Sequence, residues 1–178
     1  AFLDDGDRVL TFSRDPAKRQ RLAERWPDAI ASGALVLLEG SVTDAAFLAR
    51  LAARIEAVSG RLDVRVNHAG AILGTGTLEE SLEQWRATLE VNLIAPFALT
   101  QVCAPLLERA ASPVVINISS ACARHPFATC TSTSYSVSKA GLDMLTARLA
   151  LALGPRGIRV NGVGPGAYAE YVRAGEHR

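Results

Sequence analysis

This sequence of 178 residues has few cysteines, no long apolar run and almost no excess of either charge. Without a run of about 18 apolar residues it predicts no membrane-spanning helix, and its start shows no signal-peptide pattern. Its 19 basic and 18 acidic residues nearly cancel, which excludes the basic surface typical of nucleic-acid binding. Cys103, Cys122 and Cys130 lack metal-ligand spacing, so we expect free thiols, no metal site and a cytoplasmic protein.

No internal repeat, linker or low-complexity tract divides the chain, so a single domain over residues 1–178 is predicted. Hydrophobic residues make up 49% of it, as in a globular protein. The sequence begins without methionine, on a segment typical of the last turn of a helix capped by Gly6. We therefore expect it to be part of a longer protein.

Five short apolar, β-rich runs alternate with helical segments. The runs are residues 8–13, 34–38, 62–66, 113–118 and 158–163. Helices are predicted after Asp15 to residue 26, after Asp44 to residue 59, over 80–109 with a bend at Pro96 or Pro105, and over 133–153. This alternation predicts an α/β fold of three layers, a doubly wound parallel sheet covered by helices, with its site beyond the carboxyl ends of the strands.

Tyr135 and Lys139 are four residues apart in the last predicted helix, so both should project from one face. A lysine ammonium beside a phenol favours its ionised form, which would make the tyrosine a usable acid or base. The alternative is an ordinary pair of solvated helix residues, which are common on protein surfaces. Whether this pair is functional therefore depends on whether other segments supply the remaining residues of a site.

Several further motifs occur in a fixed order along the chain. They are Asn67-His68-Ala69-Gly70, Glu90-Val91-Asn92-Leu93, Val115 to Ser120, Tyr135 to Lys139, and Ile158 to Asn161 followed by Pro165-Gly166. Together they resemble the short-chain dehydrogenase/reductase family, whose members have a Rossmann-type fold. The family's Gly-rich phosphate loop and its last strand have no counterpart in the sequence, which implies a domain incomplete at both ends; Gly74-Thr75-Gly76 lacks the third glycine.

The resemblance implies a catalytic set of Asn92, Ser120, Tyr135 and Lys139. Tyr135 would exchange a proton with the substrate oxygen, and Lys139 would favour the ionised tyrosine and bind the nicotinamide ribose. Ser120, rather than the adjoining Ser119, would hold the substrate oxygen, and Asn92 would hold a water that relays protons. The alternatives are a serine that caps the strand end and an ordinary buried amide.

Cofactor choice rests on the end of the first run, where relatives that use NAD usually carry an acidic residue. Ser13 and Arg14 stand there, and a guanidinium suits a 2′-phosphate, so NADP(H) is expected rather than NAD(H). The alternative is a surface arginine paired with Asp15. The remaining cofactor contacts that the resemblance implies are Val42, Asn67, Ala69, Gly70, Pro165 and Gly166; His68 receives no acid–base role.

Three functional hypotheses remain open. The first is an NADP(H)-dependent oxidoreductase that interconverts a small-molecule ketone and a secondary alcohol, with loop 121–133 as a substrate wall. The second is a non-catalytic scaffold protein of the same family, and the third an epimerase or dehydratase. Helices 93–107 and 142–153 are apolar on more than one face, which predicts a homodimer or homotetramer. The near-neutral net charge and the lack of a long apolar run predict no nucleic-acid and no membrane partner.

Overall fold

The computed structural model of the protein describes residues 2–125 and 130–166. The chain divides into two compact units, Ala1–Leu51 and Ala52–Arg178. Each contains parallel strands connected by helices, so the predicted α/β fold class is confirmed. The single domain stays a prediction, and the two units are described in turn.

The first unit is built on a pair of parallel strands. Strand β1 (Val9–Phe12) pairs with β2 (Leu35–Leu38). Between them lie α1 (Pro16–Arg25) and α2 (Pro27–Ala31), and α3 (Ala45–Ser59) begins after β2. Asp15 starts α1, since its side chain accepts hydrogen bonds from the backbone N–H groups of Ala17 and Lys18. The short helix α2 was not predicted; Pro27 begins it because proline favours the first helical position.

Phe47 of α3 fills the core of this unit. Its side chain is 2% exposed, and its ring meets the Phe12 ring edge to face with centroids 5.0 Å apart. Gly40 follows β2, and a Cβ at that position would lie 2.1 Å from the Phe47 ring. Only glycine therefore allows the ring to pack against the chain where β2 ends.

The predicted cap at Gly6 precedes β1. Gly6 has φ 82°, and the N–H of Asp7 donates to the carbonyl of Phe2 while the N–H of Gly6 donates to that of Leu3. This is the hydrogen-bond pattern of a glycine-terminated helical turn. Residues 2–6 themselves form a turn rather than a helix.

The second unit contains a three-stranded parallel sheet in the order β3-β4-β5. Its elements are β3 (Val64–Asn67), α4 (Leu82–Leu89), α5 (Ala95–Leu107), β4 (Val114–Ile118), α6 (Thr133–Leu153) and β5 (Arg159–Val163). Helix α6 has the predicted bounds. Leu107, Val115 and Leu142 are buried among its strands and helices and form the centre of the core.

Helices α4 and α5 are joined by a π-helical turn, Glu90–Ile94. The predicted irregularity therefore falls just before Pro96, the second residue of α5, whereas Pro105 is accommodated inside that helix. Proline cannot donate a backbone hydrogen bond, and a widened turn ahead of it lets the helix continue. The widened turn also carries Asn92, which is fully buried.

Together these segments form a continuous helix, Leu82–Leu107, of 26 residues. An 18-residue window of it has a mean hydropathy of 1.4, enough by length and composition alone to cross a membrane. The sequence expectation of no such segment was therefore too strict. However, 44% of the window is buried inside the fold, and a core helix of a globular domain passes the same test of length and composition.

The expectation of three free thiols is wrong for two of them. Cys122 and Cys130 form a disulfide whose Cα atoms are 5.9 Å apart, and Cys103 is a free, buried thiol in α5. The spacing of eight residues gave no sign of the bond, because loop geometry decides whether two cysteines meet.

Candidate active site

The candidate site lies at the carboxyl ends of β3 and β4, beside the first turns of α6. Ser132 begins that helix, because its hydroxyl accepts the backbone N–H of Tyr135 at 3.2 Å. Tyr135 is thereby placed in the first turn and Lys139 in the second. The ammonium nitrogen of Lys139 is 5.7 Å from the centre of the Tyr135 ring, as expected for two residues on one helix face.

Lys139 is buried, with 4% of its surface exposed. Its Nζ donates to the carbonyl of Ile118 at 2.7 Å, which holds the ammonium against the end of β4. Burial lowers the pKa of Lys139, and the negative charge of Asp143 partly opposes that shift. An ammonium has three N–H donors, and this is its one hydrogen bond within the described residues, so donors remain for ligand hydroxyls.

Asn92 closes the site from the π turn. Its Oδ1 accepts the N–H of Ala71 at 2.8 Å, and its Nδ2 donates to the carbonyl of Ala71 at 2.9 Å and to the hydroxyl of Ser138 at 3.0 Å. Both hydrogens of the side-chain amide are therefore used, so a water held by this side chain would have to donate to Oδ1. These contacts match the structural alternative, and the water relay stays a prediction.

The two serines after β4 point to different surroundings. Ser119 is buried, and its hydroxyl donates to the carbonyl of Lys139 at 3.3 Å. Ser120 is half-buried, and its Oγ accepts the N–H of Cys122 at 3.2 Å, at the start of the 3₁₀ turn Ala121–Ala123. The Ser120 hydroxyl hydrogen is thus available for a substrate oxygen, and the residue also caps the turn.

The segment after β3 crosses the same region. A Cβ added to Gly70 would lie 3.5 Å from Oδ1 of Asn92 and 3.6 Å from Nζ of Lys139, so this glycine lies next to both side chains. Ala69 and Gly70 are exposed and can contact a ligand. Asn67 differs, because it is buried and its Nδ2 donates to Oδ1 of Asn117 at 2.7 Å. Its side chain links two strands rather than facing a ligand.

The predicted residues after β5 lie near the serine. The carbonyl of Pro165 accepts the N–H of Ala121 at 2.9 Å, and Gly166 is exposed. The structure therefore places Pro165 beside the segment that carries Ser120. In the predicted substrate wall, residues 126–129 lie outside the described part of the chain.

In the first unit, Ser13 and Arg14 follow β1 as predicted. The Ser13 hydroxyl accepts the N–H of Asp15 at 3.1 Å, while Arg14 is exposed and has no ion pair within the described residues. Asp15 uses its carboxylate to cap α1, so the alternative pair with Arg14 is not formed. Val42, the remaining predicted contact, is half-buried in the turn after β2.

Sequence reasoning missed two residues that support these segments. Arg19 donates to the carbonyl of Ser13 at 2.6 Å and pairs with Glu39 at 2.8 Å. Glu80 is buried and accepts the N–H of Ser134 at 3.0 Å. Neither has a sequence signal of its own; only the capping pattern of Ser81 and Gln84 marks the helix start next to Glu80.

These residues fit one half of a nicotinamide dinucleotide. Lys139 offers donors for ribose hydroxyls, and the exposed backbone at Ala69 and Gly70 permits close approach. The family's Gly-rich loop for the pyrophosphate is absent from the printed sequence, so no residue is assigned to it.

Comparison with known proteins agrees with this fold. The family model of short chain dehydrogenases matches residues 1–175. The chain belongs to the short-chain dehydrogenase family.

Two curated relatives are similar to it. The chain is 37% identical to 3beta-hydroxysteroid dehydrogenase 1 of Eggerthella lenta over 116 residues, which cover 65% of this chain and 44% of that protein. It is 38% identical to trans-4-hydroxycyclohexanecarboxylate dehydrogenase of Sinomonas cyclohexanicum over 120 residues, or 67% of this chain and 45% of that protein. The chain thus spans less than half the length of either relative.

A solved structure, the RhlG/NADP active-site complex of Pseudomonas aeruginosa, superimposes with a TM-score of 0.81 at 28% identity. The match covers 98% of this chain and 69% of that one.

Proposed function

We propose that the protein is an NADP(H)-dependent oxidoreductase that interconverts a ketone and a secondary alcohol. The observation that carries the proposal is the Tyr135–Lys139 pair, with a buried ammonium 5.7 Å from the tyrosine ring. A solvated surface pair would leave the ammonium in water. This ammonium is instead anchored to the end of β4, where a parallel sheet places its ligands.

The proposed roles follow from these contacts. In reduction, the Tyr135 hydroxyl gives its proton to the substrate carbonyl oxygen, and in oxidation the phenolate removes the alcohol proton. Lys139 stabilises the phenolate by its positive charge. Ser120 donates its hydroxyl hydrogen to the same substrate oxygen. A bound nicotinamide supplies the hydride in one direction and accepts it in the other.

The proposed substrates are compounds that carry a hydroxyl, or the corresponding ketone, on a carbocyclic ring. The names of the Eggerthella and Sinomonas relatives, a hydroxysteroid and a hydroxycyclohexanecarboxylate dehydrogenase, both denote a hydroxyl on a carbocyclic ring. We therefore expect cyclic ketones to be reduced faster than open-chain ketones of similar size.

The proposed preference for NADP(H) rests on Arg14. Its guanidinium is exposed and unpaired within the described residues, so it can form the bidentate contact that a 2′-phosphate accepts. The NADP complex of the Pseudomonas structure gives the same cofactor for a protein of similar fold.

A fluorescence titration tests cofactor and activity together. The purified protein is titrated with NADPH and with NADH, and turnover is then assayed with cyclohexanone derivatives and a ketosteroid. We expect NADPH to bind at least tenfold more tightly than NADH and to be oxidised in the presence of a cyclic ketone. Absence of binding by both cofactors contradicts the proposal and favours the scaffold hypothesis, while turnover without net cofactor oxidation favours an epimerase or dehydratase.

We also propose a homodimer or homotetramer formed through α5 and α6. Phe97 is 46% exposed, and Met144 and Leu151 of α6 are 64% and 70% exposed, which leaves apolar surface on both helices. Sedimentation velocity should give a mass of two or four chains. A stable monomer at micromolar concentration contradicts this assembly.

A further inference from the structure

Glu80 is a buried carboxylate in the second unit, and no role has yet been given to it. It is 8% exposed and immediately precedes Ser81, which caps α4. Its Oε2 accepts the backbone N–H of Ser134, the residue before Tyr135, at 3.0 Å. One carboxylate therefore links the start of α4 to the first turn of α6.

Serine hydroxyls and backbone N–H groups surround this carboxylate. Burial would raise the pKa of Glu80, but hydrogen bonds from Ser134, Ser132 and the backbone of Thr133 outweigh it and hold the pKa below its usual range. The described residues provide no ion-pair partner; the adjacent Glu79 turns its carboxylate to the N–H groups of Thr77 and Leu78. The first turn of α6 is thus what balances this buried charge.

The neighbouring backbone leaves room for this arrangement. A Cβ at Gly74 would lie 2.9 Å from Cγ and 3.1 Å from Cδ of Glu80, so glycine lets the side chain pass. Gly76 then pairs with the segment before α6, its N–H donating to the carbonyl of Thr131 at 2.6 Å. The second oxygen of Glu80, Oε1, is buried without a hydrogen-bond partner. The carboxylate is therefore held in one orientation by contacts to the start of α6.

We propose that Glu80 is a positioning residue that holds the first turn of α6, and so the Tyr135 ring, in the orientation needed for proton transfer. It acts through the Ser134 N–H rather than by touching the substrate. The inference rests on the proposed function, because it concerns the same tyrosine.

Variants at Glu80 separate the contribution of its hydrogen-bond acceptor from that of its negative charge. Glu80→Gln keeps an oxygen that can accept the Ser134 N–H, whereas Glu80→Ala removes both the acceptor and the charge. Glu83→Gln is the matched control, an exposed glutamate in the first turn of α4. Each variant is assayed for kcat and KM with a cyclic ketone, for NADPH affinity, and for backbone hydrogen exchange across β4, α6 and β5.

The expected pattern is specific to the first turn of α6. Glu80→Ala should lower kcat at least tenfold with KM within threefold, and should speed amide exchange over residues 132–138 at least tenfold. Glu80→Gln should restore kcat to within about threefold of the wild type, and Glu83→Gln should match the wild type in all measurements.

Three results would overturn the inference. These are unchanged exchange over residues 132–138 in Glu80→Ala, equal loss of protection throughout β4, β5 and α6, or no rescue by glutamine. If the wild type has no turnover, the proposed function fails separately, and hydrogen exchange still decides whether Glu80 positions the helix.

Discussion

The strand ends of the two units differ in how their polar residues are held. After β1, Arg14 is exposed and unpaired within the described residues. At the carboxyl ends of β3 and β4, the side chains of Asn92 and Lys139 are buried. Short hydrogen bonds connect them to the backbone of Ala71 and Ile118. The first arrangement leaves an arginine free to adapt to a ligand. The second fixes side chains before any ligand arrives, which electrostatic catalysis requires.

Substitutions should therefore act differently in the two regions. In the second unit, a change at the site removes contacts that also hold the fold, so activity and stability fall together unless the altered atom faces the substrate. In the first unit, a change after β1 should alter cofactor choice without cost to folding. The predictions below test this contrast in order of expected effect.

The largest effect is expected for Tyr135→Phe, which deletes the proposed proton donor. Catalysis by a positioned acid or base contributes about 10²- to 10⁴-fold, so kcat should fall about a thousandfold. NADPH affinity should stay within about threefold. Ser136→Ala, one residue further along α6, is the control and should keep kcat within about threefold. Retention of more than about a tenth of wild-type kcat by Tyr135→Phe would remove the tyrosine from the mechanism.

Asn92→Ala should combine a loss of activity with a loss of stability. It leaves the N–H and C=O of Ala71 without their partner, while the Ser138 hydroxyl loses a donor but still donates to the carbonyl of Tyr135. Unsatisfied polar groups of this kind cost about 1–3 kcal/mol each, less where water reaches them, so the free energy of unfolding should fall by about 2–3 kcal/mol. Urea denaturation measures it. Arg14→Ala in the first unit is the comparison and should change it by less than about 0.5 kcal/mol; equal losses would abolish the contrast.

Breaking the Cys122–Cys130 disulfide should cost up to about 2 kcal/mol, because the bond restricts a short loop of the unfolded chain. Cys122→Ser should show this loss in urea denaturation, and dithiothreitol should lower the stability of the wild type but not of the variant. Peptide mapping after alkylation, without reduction, supplies the direct check. Three alkylated cysteines in the wild type would show that the bond is not formed.

The double variant Ser13→Asp, Arg14→Ala should reverse cofactor preference. An aspartate there can accept ribose hydroxyls and repel a 2′-phosphate, so we expect NADPH affinity to fall at least tenfold while NADH affinity holds or rises. Arg21→Ala, an exposed arginine on α1, should leave both affinities unchanged. Continued preference for NADPH would refute the role of Arg14.

The smallest expected difference between the two units concerns the dependence of stability on pH. Because the pKa of Glu80 is lowered on folding, its carboxylate stabilises the fold above the unfolded value near 4.5, and this stabilisation disappears as pH falls through the lower folded value. Glu80→Gln should therefore be less stable than wild type at pH 6–8, with the difference vanishing at acid pH. In the first unit Glu39→Gln, at a carboxylate that is 74% exposed, should show a smaller difference. A difference in stability between wild type and Glu80→Gln that does not change with pH would contradict the lowered pKa of Glu80.

Much of the fold could be predicted because its signals are local. Apolar runs predicted each of the five strands in the described residues, and Asp15 lies at the start of α1, as predicted. The π turn and the Cys122–Cys130 bond could not be predicted. Both depend on how distant segments pack, and neither leaves a periodic pattern in the sequence.

Only part of the candidate site could be predicted from the sequence. Tyr135 and Lys139 were located because a helix places residues four apart on one face. The burial of the Asn67 side chain could not be predicted, since its contact to Asn117 depends on the register between β3 and β4. Glu80 was overlooked because it meets Ser134 across 54 residues of sequence. Contacts between strand ends and helix starts are decided in three dimensions.

The π turn at Glu90–Ile94 has a consequence for insertions and deletions. A π turn contains one residue more than the α-helical path needs, and each residue of an α-helix advances the helix by about 100°. Removal of the extra residue there would restore a regular α-helix and leave α4 and α5 in register. Removal of a residue between Pro96 and Leu99 in α5 would instead rotate the rest of that helix by about that angle, so Leu99, Cys103 and Leu107 would leave the core face together. We therefore expect a one-residue deletion to be tolerated better at the π turn than inside α5.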